Sequence, residues 1–537
     1  MRSPGAEATA PDGGAGLPER DAASRNGSIL ADALSSWVVA GLVVVSGLLF
    51  APLIRKSAGD SGYGLWRTLY QIIGYYGVLE VGIRAAAVRF IAIAWSRDDR
   101  AAMRGILGAC FGFAGVLFVL VVPACILSAG VIVPRLGADA ALAADGIGAL
   151  RIMALAFGVS AFSGILSFSI HGACRIHLAN RVELVALGLR TGLGVLALIH
   201  FGTLTALACA NLAGSLAGLG GYLFLFRRFY TVRPSLAEAH RARWLQRVLV
   251  FATKVYGVKL GDVLINEVSV VVAASVLTLQ LAGVLSYVLA LVGFATIVVV
   301  NLCDAMYPRL SAIHADRQRL VAATFTNGGV VAMVAFAFLG GFIALGPDFI
   351  HTWISPDIGR DAGVSLPAVV AAVGAGRLAV LATLPMVYAL RAVDRLEVYA
   401  LFNFLEGALG VGAMVALGSR FGLVGLVGGS LGASLLFRLC VLPVYAGRVL
   451  GVPSARIVGA LVLRPALTWV GLLPVVLLLR ATEPAGWMRL AAMMIAAGAL
   501  LFGSGIFLGL SADARSLLVD RALGIVGRMR SPLKIDS

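Results

Sequence analysis

Apolar runs of about 20 residues recur along the chain from Ile29 to Leu510, separated by short polar breaks, and they constrain its folding more than any other feature. A helix rises 1.5 Å per residue, so about 20 residues carry it through the ~30 Å hydrocarbon layer of a bilayer. Lipid offers no partner for a bare backbone amide, which leaves helices and closed barrels as the only spanning structures. Barrel strands alternate apolar and polar residues. The run Val116-Leu117-Phe118-Val119-Leu120-Val121-Val122 does not alternate. The chain is therefore an all-α polytopic membrane protein. Its 60% hydrophobic and 13% charged residues agree with this, since a soluble domain carries charge on about a quarter of its length.

Segmentation gives fourteen spans, among them 31–54, 64–94, 248–272, 397–418, 422–446, 458–479 and 490–510. Twelve would remain if the last two lay shallowly in the membrane. Lys and Arg concentrate in the N-terminal tail, in the breaks after the even-numbered spans and in the C-terminal tail. The other breaks hold only Arg55, Lys56, Arg135, Arg360, Arg420, Arg480 and Arg489. By the positive-inside bias both termini are cytoplasmic, and the net charge of +16 reflects topology rather than a nucleic-acid partner. Residues 1–28 are polar and rich in Gly, Ala and Pro, and read as a disordered cytoplasmic tail; 511–537 form a second tail. The six cysteines are scattered in mostly apolar contexts and suggest neither a metal site nor a disulfide framework. No break is long enough for a soluble catalytic domain. The longest, around 347–365 and 228–247, are about twenty residues, the second with an amphipathic stretch at 237–246.

The chain also repeats itself. Arg89-Phe90-Ile91-Ala92-Ile93 is echoed 220 residues later by Arg309-Leu310-Ser311-Ala312-Ile313, and Arg181-Val182-Glu183-Leu184 is echoed 214 later by Arg395-Leu396-Glu397-Val398. This divides the chain into six-span units at 31–230 and 248–447, joined by a linker at 231–247 and followed by a terminal pair at 458–510. Six is even, so the units share one orientation, and two pseudo-symmetric six-helix bundles about a central cleft are expected.

Charges inside the spans point to that cleft. Arg67, Arg84, Arg190, Lys254, Lys259 and Arg377 are candidate ligands for an anionic headgroup, because an ionised side chain at membrane depth faces a cavity or a partner. Arg190 and Arg377 lie mid-span, where snorkelling to the interface is hardest. Arg89, Arg438 and Arg464 lie nearer span ends and are explained equally well by snorkelling. Glu80, Asp262, Asp304 and Glu406 are candidates for ion coupling or ion pairing; Glu80 shares a helix face with Arg84, and Asp262 lies three residues after Lys259. Tyr70, Gln71, Tyr75 and Tyr76 offer hydroxyl, amide and ring surfaces for sugar, with core packing as the rival reading. The excess of positive charge implies an anionic cargo, and guanidinium forks suit phosphate oxygens.

The stretch Gly62-Tyr63-Gly64-Leu65-Trp66, followed by Tyr76-Gly77-Val78-Leu79-Glu80-Val81-Gly82-Ile83-Arg84 and ending at Arg89-Phe90, resembles the second-helix pattern of bacterial O-antigen and exopolysaccharide repeat-unit flippases. These belong to the multidrug/oligosaccharidyl-lipid/polysaccharide (MOP) exporter superfamily. The motifs are degenerate; length and span number carry much of the resemblance, which covers 31–510. It implies a non-enzymatic transporter of the bacterial inner membrane that moves undecaprenyl-pyrophosphate-linked oligosaccharide to the outer leaflet by alternating access, functions as a monomer and works beside polysaccharide polymerase or ligase machinery. It implies no cofactor, with transport driven by protons, sodium or membrane potential. The rivals are a small-molecule exporter of the related multidrug group, a membrane glycosyltransferase or polysaccharide ligase, and a noncatalytic scaffold.

Overall fold

The computed structural model describes residues 20–172, 175–230, 232–475, 486–512 and 514–516, and among these every regular element is helical. The helices are α1 (Arg20–Ser96), α2 (Arg100–Ile132), α3 (Ala140–Gly172), α4 (Ile176–His200), α5 (Leu204–Phe229), α6 (Leu236–Arg241), α7 (Trp244–Asn266) and α8 (Ser269–Val276). They continue with α9 (Leu279–Ala312), α10 (Arg317–Trp353), α11 (Leu366–Ala392), α12 (Leu396–Leu435) and α13 (Leu442–Leu450). Two further helical stretches, α14 (Ser454–Val475) and α15 (Trp487–Gly509), complete the described chain.

Among the described residues eleven stretches are long and apolar enough to cross a membrane, and two of these contain a reversal. α1 breaks at Gly59 (φ 69°, ψ −174°) and α12 at Gly422 (φ 63°, ψ −148°). A positive φ with extended ψ is open to glycine and costly for any residue with a Cβ, so one glycine turns each helix back on itself. Counting the arms of α1 and α12 separately and adding the broken pair α7–α8, which is not among the eleven, gives fourteen helical segments. Arg55 and Lys56, expected in a loop, lie in the last turn before Gly59, and Arg55 pairs across the turn with Asp60 at 2.8 Å.

Other expectations need correction. Residues 20–28, read as part of a disordered tail, continue α1 as helix, while 1–19 and most of 511–537 lie outside the described residues. Cys174 also lies outside them. The amphipathic stretch at 237–246 is divided: α6 ends at Arg241, Arg243 takes a left-handed φ of 52°, and α7 starts at Trp244. α10 continues through Pro347 to Trp353. Span 7, expected to be continuous to 272, is interrupted at Glu267 and Val268. There the Tyr75 hydroxyl donates to the Glu267 carbonyl at 3.1 Å, satisfying a helix-end acceptor that has no intrahelical partner.

α3, α4 and α5 pack on one another, and α9, α10 and α11 do likewise, with α7 against α12. Between these groups the second arm of α1 meets α9 near the Gly59 end. Tyr63 stacks on Tyr287 with ring centroids 4.4 Å apart, and Tyr287 donates to Asp60 at 3.0 Å. Trp353 closes over Tyr287 edge-on at 6.1 Å. The helices approach closely enough for a Cβ on Gly64 to run into the Leu279 carbonyl, and one on Gly283 into that of Asp60. At the opposite end, α1 meets α7 through Phe90 against Trp244 at 5.8 Å and Arg89 over Phe251 at 5.0 Å.

Gly283→Leu is expected to destabilise the protein by about 3 kcal/mol, since the obstruction is backbone and cannot move aside. Gly293→Leu, ten residues along the same helix and facing open space, should be silent. Thermal unfolding of both variants in detergent checks this; equal melting temperatures would contradict the close approach.

Candidate functional site

Among the described residues a polar cavity lies within the helices in each half of the chain. The first, of about 210 Å³, is lined by Tyr70, Glu80, Arg84, Ser160, Arg190, Asn211 and Ser215 together with apolar residues of α1 and α3. Arg84 donates to Glu80 one helical turn earlier, and its guanidinium also lies over the Phe168 ring at 5.3 Å. Glu80 is buried and consumes part of the Arg84 charge. Arg190 lines the same cavity from α4 and makes no ion pair among the described residues. The net charge at the cavity wall is therefore positive.

The second cavity, about 50 Å³ and room for only a few waters, is lined by Asn266, Ser269, Gly376, Arg377, Ser430 and Ser434 with apolar neighbours from α9 and α11. Arg377 donates to the Asn266 side chain, at the end of α7 beside the interruption. Behind it stands a buried network. Arg438 meets Glu406 at 2.7 Å, both side chains 3% exposed, and donates to Asn403 at 2.7 Å and to the Tyr399 hydroxyl at 3.2 Å. Asn403 in turn donates to Asp262 at 3.0 Å.

The candidate residues thus divide. Arg84, Arg190, Glu80 and Tyr70 share one cavity, and Arg377 lines the other. Arg67 is half-buried on α1 outside both, with its Nε buried and lacking a hydrogen-bond partner. Lys259 pairs with Glu267 at 3.8 Å rather than with Asp262, because the end of α7 brings Glu267 back towards it. The Lys254 side chain lies outside the described residues. Asp304 accepts the Tyr388 hydroxyl at 2.6 Å. Tyr75 joins α1 to Glu267, Tyr76 packs against Phe157 at 6.4 Å, and Gln71 is buried.

Snorkelling, which the position near a span end allows for Arg438, does not occur: the residue is 2% exposed and points inward to Glu406. It sits in a π-helical turn, Leu436–Val441, whose extra residue rotates the side chain away from its regular helical direction. The sequence does hold a signal for this cluster: Tyr399, Asn403 and Glu406, spaced i, i+4 and i+7, form a polar stripe on one helix face that requires a partner. Asn266, Asn211 and the cavity serines carry no such signal.

Among solved structures the chain is similar to a lipid II flippase, MurJ, in an inward closed conformation, with a TM-score of 0.68 at 11% identity over 91% of this chain and 100% of that one. It is also similar to an inward-facing multidrug resistance MATE family transporter, with a TM-score of 0.62 at 13% identity over 76% of this chain and 94% of that one. The fold is that of the MOP superfamily. A MOP transporter from Pyrococcus furiosus aligns with a TM-score of 0.54 at 13% identity, covering 79% of this chain and 95% of that one. No protein-family profile and no curated protein matches the sequence.

Proposed function

We propose that this protein is a flippase that carries a polyprenyl-pyrophosphate-linked oligosaccharide from the cytoplasmic to the outer leaflet of a bacterial inner membrane. The observation that carries the reading is the placement of Arg190, which lines a polar cavity with Arg84 and Glu80 and makes no ion pair among the described residues, so that this wall keeps a surplus positive charge; Arg377 lines the second cavity, where its guanidinium donates to Asn266. A wall with surplus guanidinium attracts an anion, and paired N–H donors match phosphate oxygens. An organic cation would be repelled. The likeness to a lipid II flippase, whose cargo by name is a lipid, supports a lipid-linked substrate.

An apolar groove of about 420 Å³, lined by Val44, Leu48, Phe294, Phe338, Phe342 and Phe502 among others, suits a hydrocarbon chain, while the polar cavities suit its headgroup. The positive-inside bias assigns the Gly59 end to the outer face. With that face closed by Tyr63, Tyr287 and Trp353, the described state precedes release. Neither cavity is large enough for an oligosaccharide, so loading requires the halves to part, and alternating access follows by rocking one bundle against the other. Fixed guanidinium, hydroxyl and amide groups replace the water of the headgroup, and no covalent bond is made or broken.

The test places a fluorescent polyprenyl-pyrophosphate oligosaccharide in one leaflet of vesicles and follows its protein-dependent exposure on the other. Transfer is the expected result. Uptake of an organic cation with no lipid transfer would replace this reading with small-molecule export, and a new glycosidic bond would replace it with glycosyl transfer.

A further inference from the structure

The network around Arg438 has the form of a cation site whose cation is covalently attached. Three oxygen acceptors converge on the guanidinium: a Glu406 carboxylate oxygen at 2.7 Å, the Asn403 amide oxygen at 2.7 Å and the Tyr399 hydroxyl at 3.2 Å. Asp262 stands behind Asn403, and the second Glu406 oxygen is buried without a hydrogen-bond partner. Hard oxygen donors around a buried positive charge are also what a small alkali or alkaline-earth cation selects. The helix is distorted to deliver this arginine, since Leu436–Val441 forms a π turn, a feature frequent at functional sites.

Charge closes the argument. The carboxylates are Asp262 and Glu406, and the cations are Arg438 and Arg377, which is joined to Asp262 through Asn266: Arg377 donates to the Asn266 side chain, whose amide donates to the Asp262 carbonyl at 2.8 Å. The quartet sums to zero, so nothing remains to draw a further cation into the membrane interior. We infer that Arg438 is a resident counter-cation: it fills a place that would otherwise take sodium, and leaves the protein uncoupled from sodium at this cluster. This deepens the flippase reading by specifying its energy coupling, but only the transport arm of the test rests on that reading.

The purified full chain is melted in detergent in sodium chloride and in choline chloride at equal ionic strength. The unmodified protein should melt at the same temperature in both. Arg438→Gln removes the resident charge, leaves the cluster with one uncompensated negative charge, and should melt about 3 °C higher in sodium, as expected when a ligand binds the native state only. Arg438→Gln combined with Glu406→Gln should lose that difference. Arg438→Lys keeps the charge and should behave as the unmodified protein does, and it decides the matter with the unmodified chain if the glutamine variant does not fold. Sodium stabilisation of the unmodified protein or of Arg438→Lys overturns the inference, as does a folded Arg438→Gln that ignores sodium. In vesicles an imposed sodium gradient should leave the initial rate of lipid transfer unchanged; a rate that follows the gradient overturns the inference too.

Discussion

The double substitution Arg190→Gln and Arg377→Gln is expected to slow lipid transfer by about 100-fold while leaving insertion intact. Each arginine offers charge-assisted hydrogen bonds to a phosphate, worth about 1.5–3 kcal/mol, and 1.4 kcal/mol corresponds to a factor of ten. The two residues line separate cavities, so their losses should combine nearly additively, with about tenfold for each single change as the lower bound. Glutamine keeps much of the volume and the capacity to donate, which isolates the charge. The measurement is the initial rate of headgroup exposure in vesicles at matched protein density, with monodispersity in detergent as the control for folding. Transfer at the unmodified rate by the double variant would remove the arginines from the mechanism.

Glu406→Ala should be among the most destabilising single changes in the chain, at about 3–5 kcal/mol, because it leaves the Arg438 guanidinium buried without its counter-charge. The sign of the asymmetry matters. A carboxylate deprived of its arginine can take up a proton and become neutral, whereas a guanidinium cannot release one in a protein. Removing Glu406 should therefore do more damage than removing Arg438. Replacing both, with Glu406→Leu and Arg438→Met, should restore much of the loss, since an apolar pair of similar volume needs no desolvation. Melting temperatures of the three variants in detergent check the order. A Glu406→Ala protein as stable as the unmodified one would mean that the pair contributes nothing to the fold.

The spans were legible because lipid imposes a length and a polarity that no other environment demands, and the all-helical fold followed from that alone. The interior arginines were legible for the same reason: Arg190 and Arg377 stand in the middle of apolar helices with nowhere to snorkel. What stayed hidden was anything depending on pairing across helices. Arg438 lies 32 residues after Glu406, and only a π turn rotates it inward. Lys259 finds Glu267 rather than Asp262 because α7 stops, and α7 stops where Tyr75, 192 residues earlier in the chain, meets its last carbonyl. The single-residue turns at Gly59 and Gly422 stayed hidden as well, because composition does not reveal that one residue suffices to reverse a helix.

A helical hairpin closed by one residue has no slack. The two arms of α1 cannot slide lengthwise past each other, so they tilt or roll together about the turn at Gly59. The second arm carries Tyr63 at the sealed face and Arg84 at the cavity, 21 residues farther on, a rigid span of about 30 Å. A tilt of only about 10° about one end of such a span displaces the other by about 5 Å, roughly one helical turn. With the glycine as fulcrum, a tilt of that size swings Arg84 while Tyr63, four residues from the turn, moves only about 1 Å, so the cavity arginine shifts while the stacked tyrosines stay together.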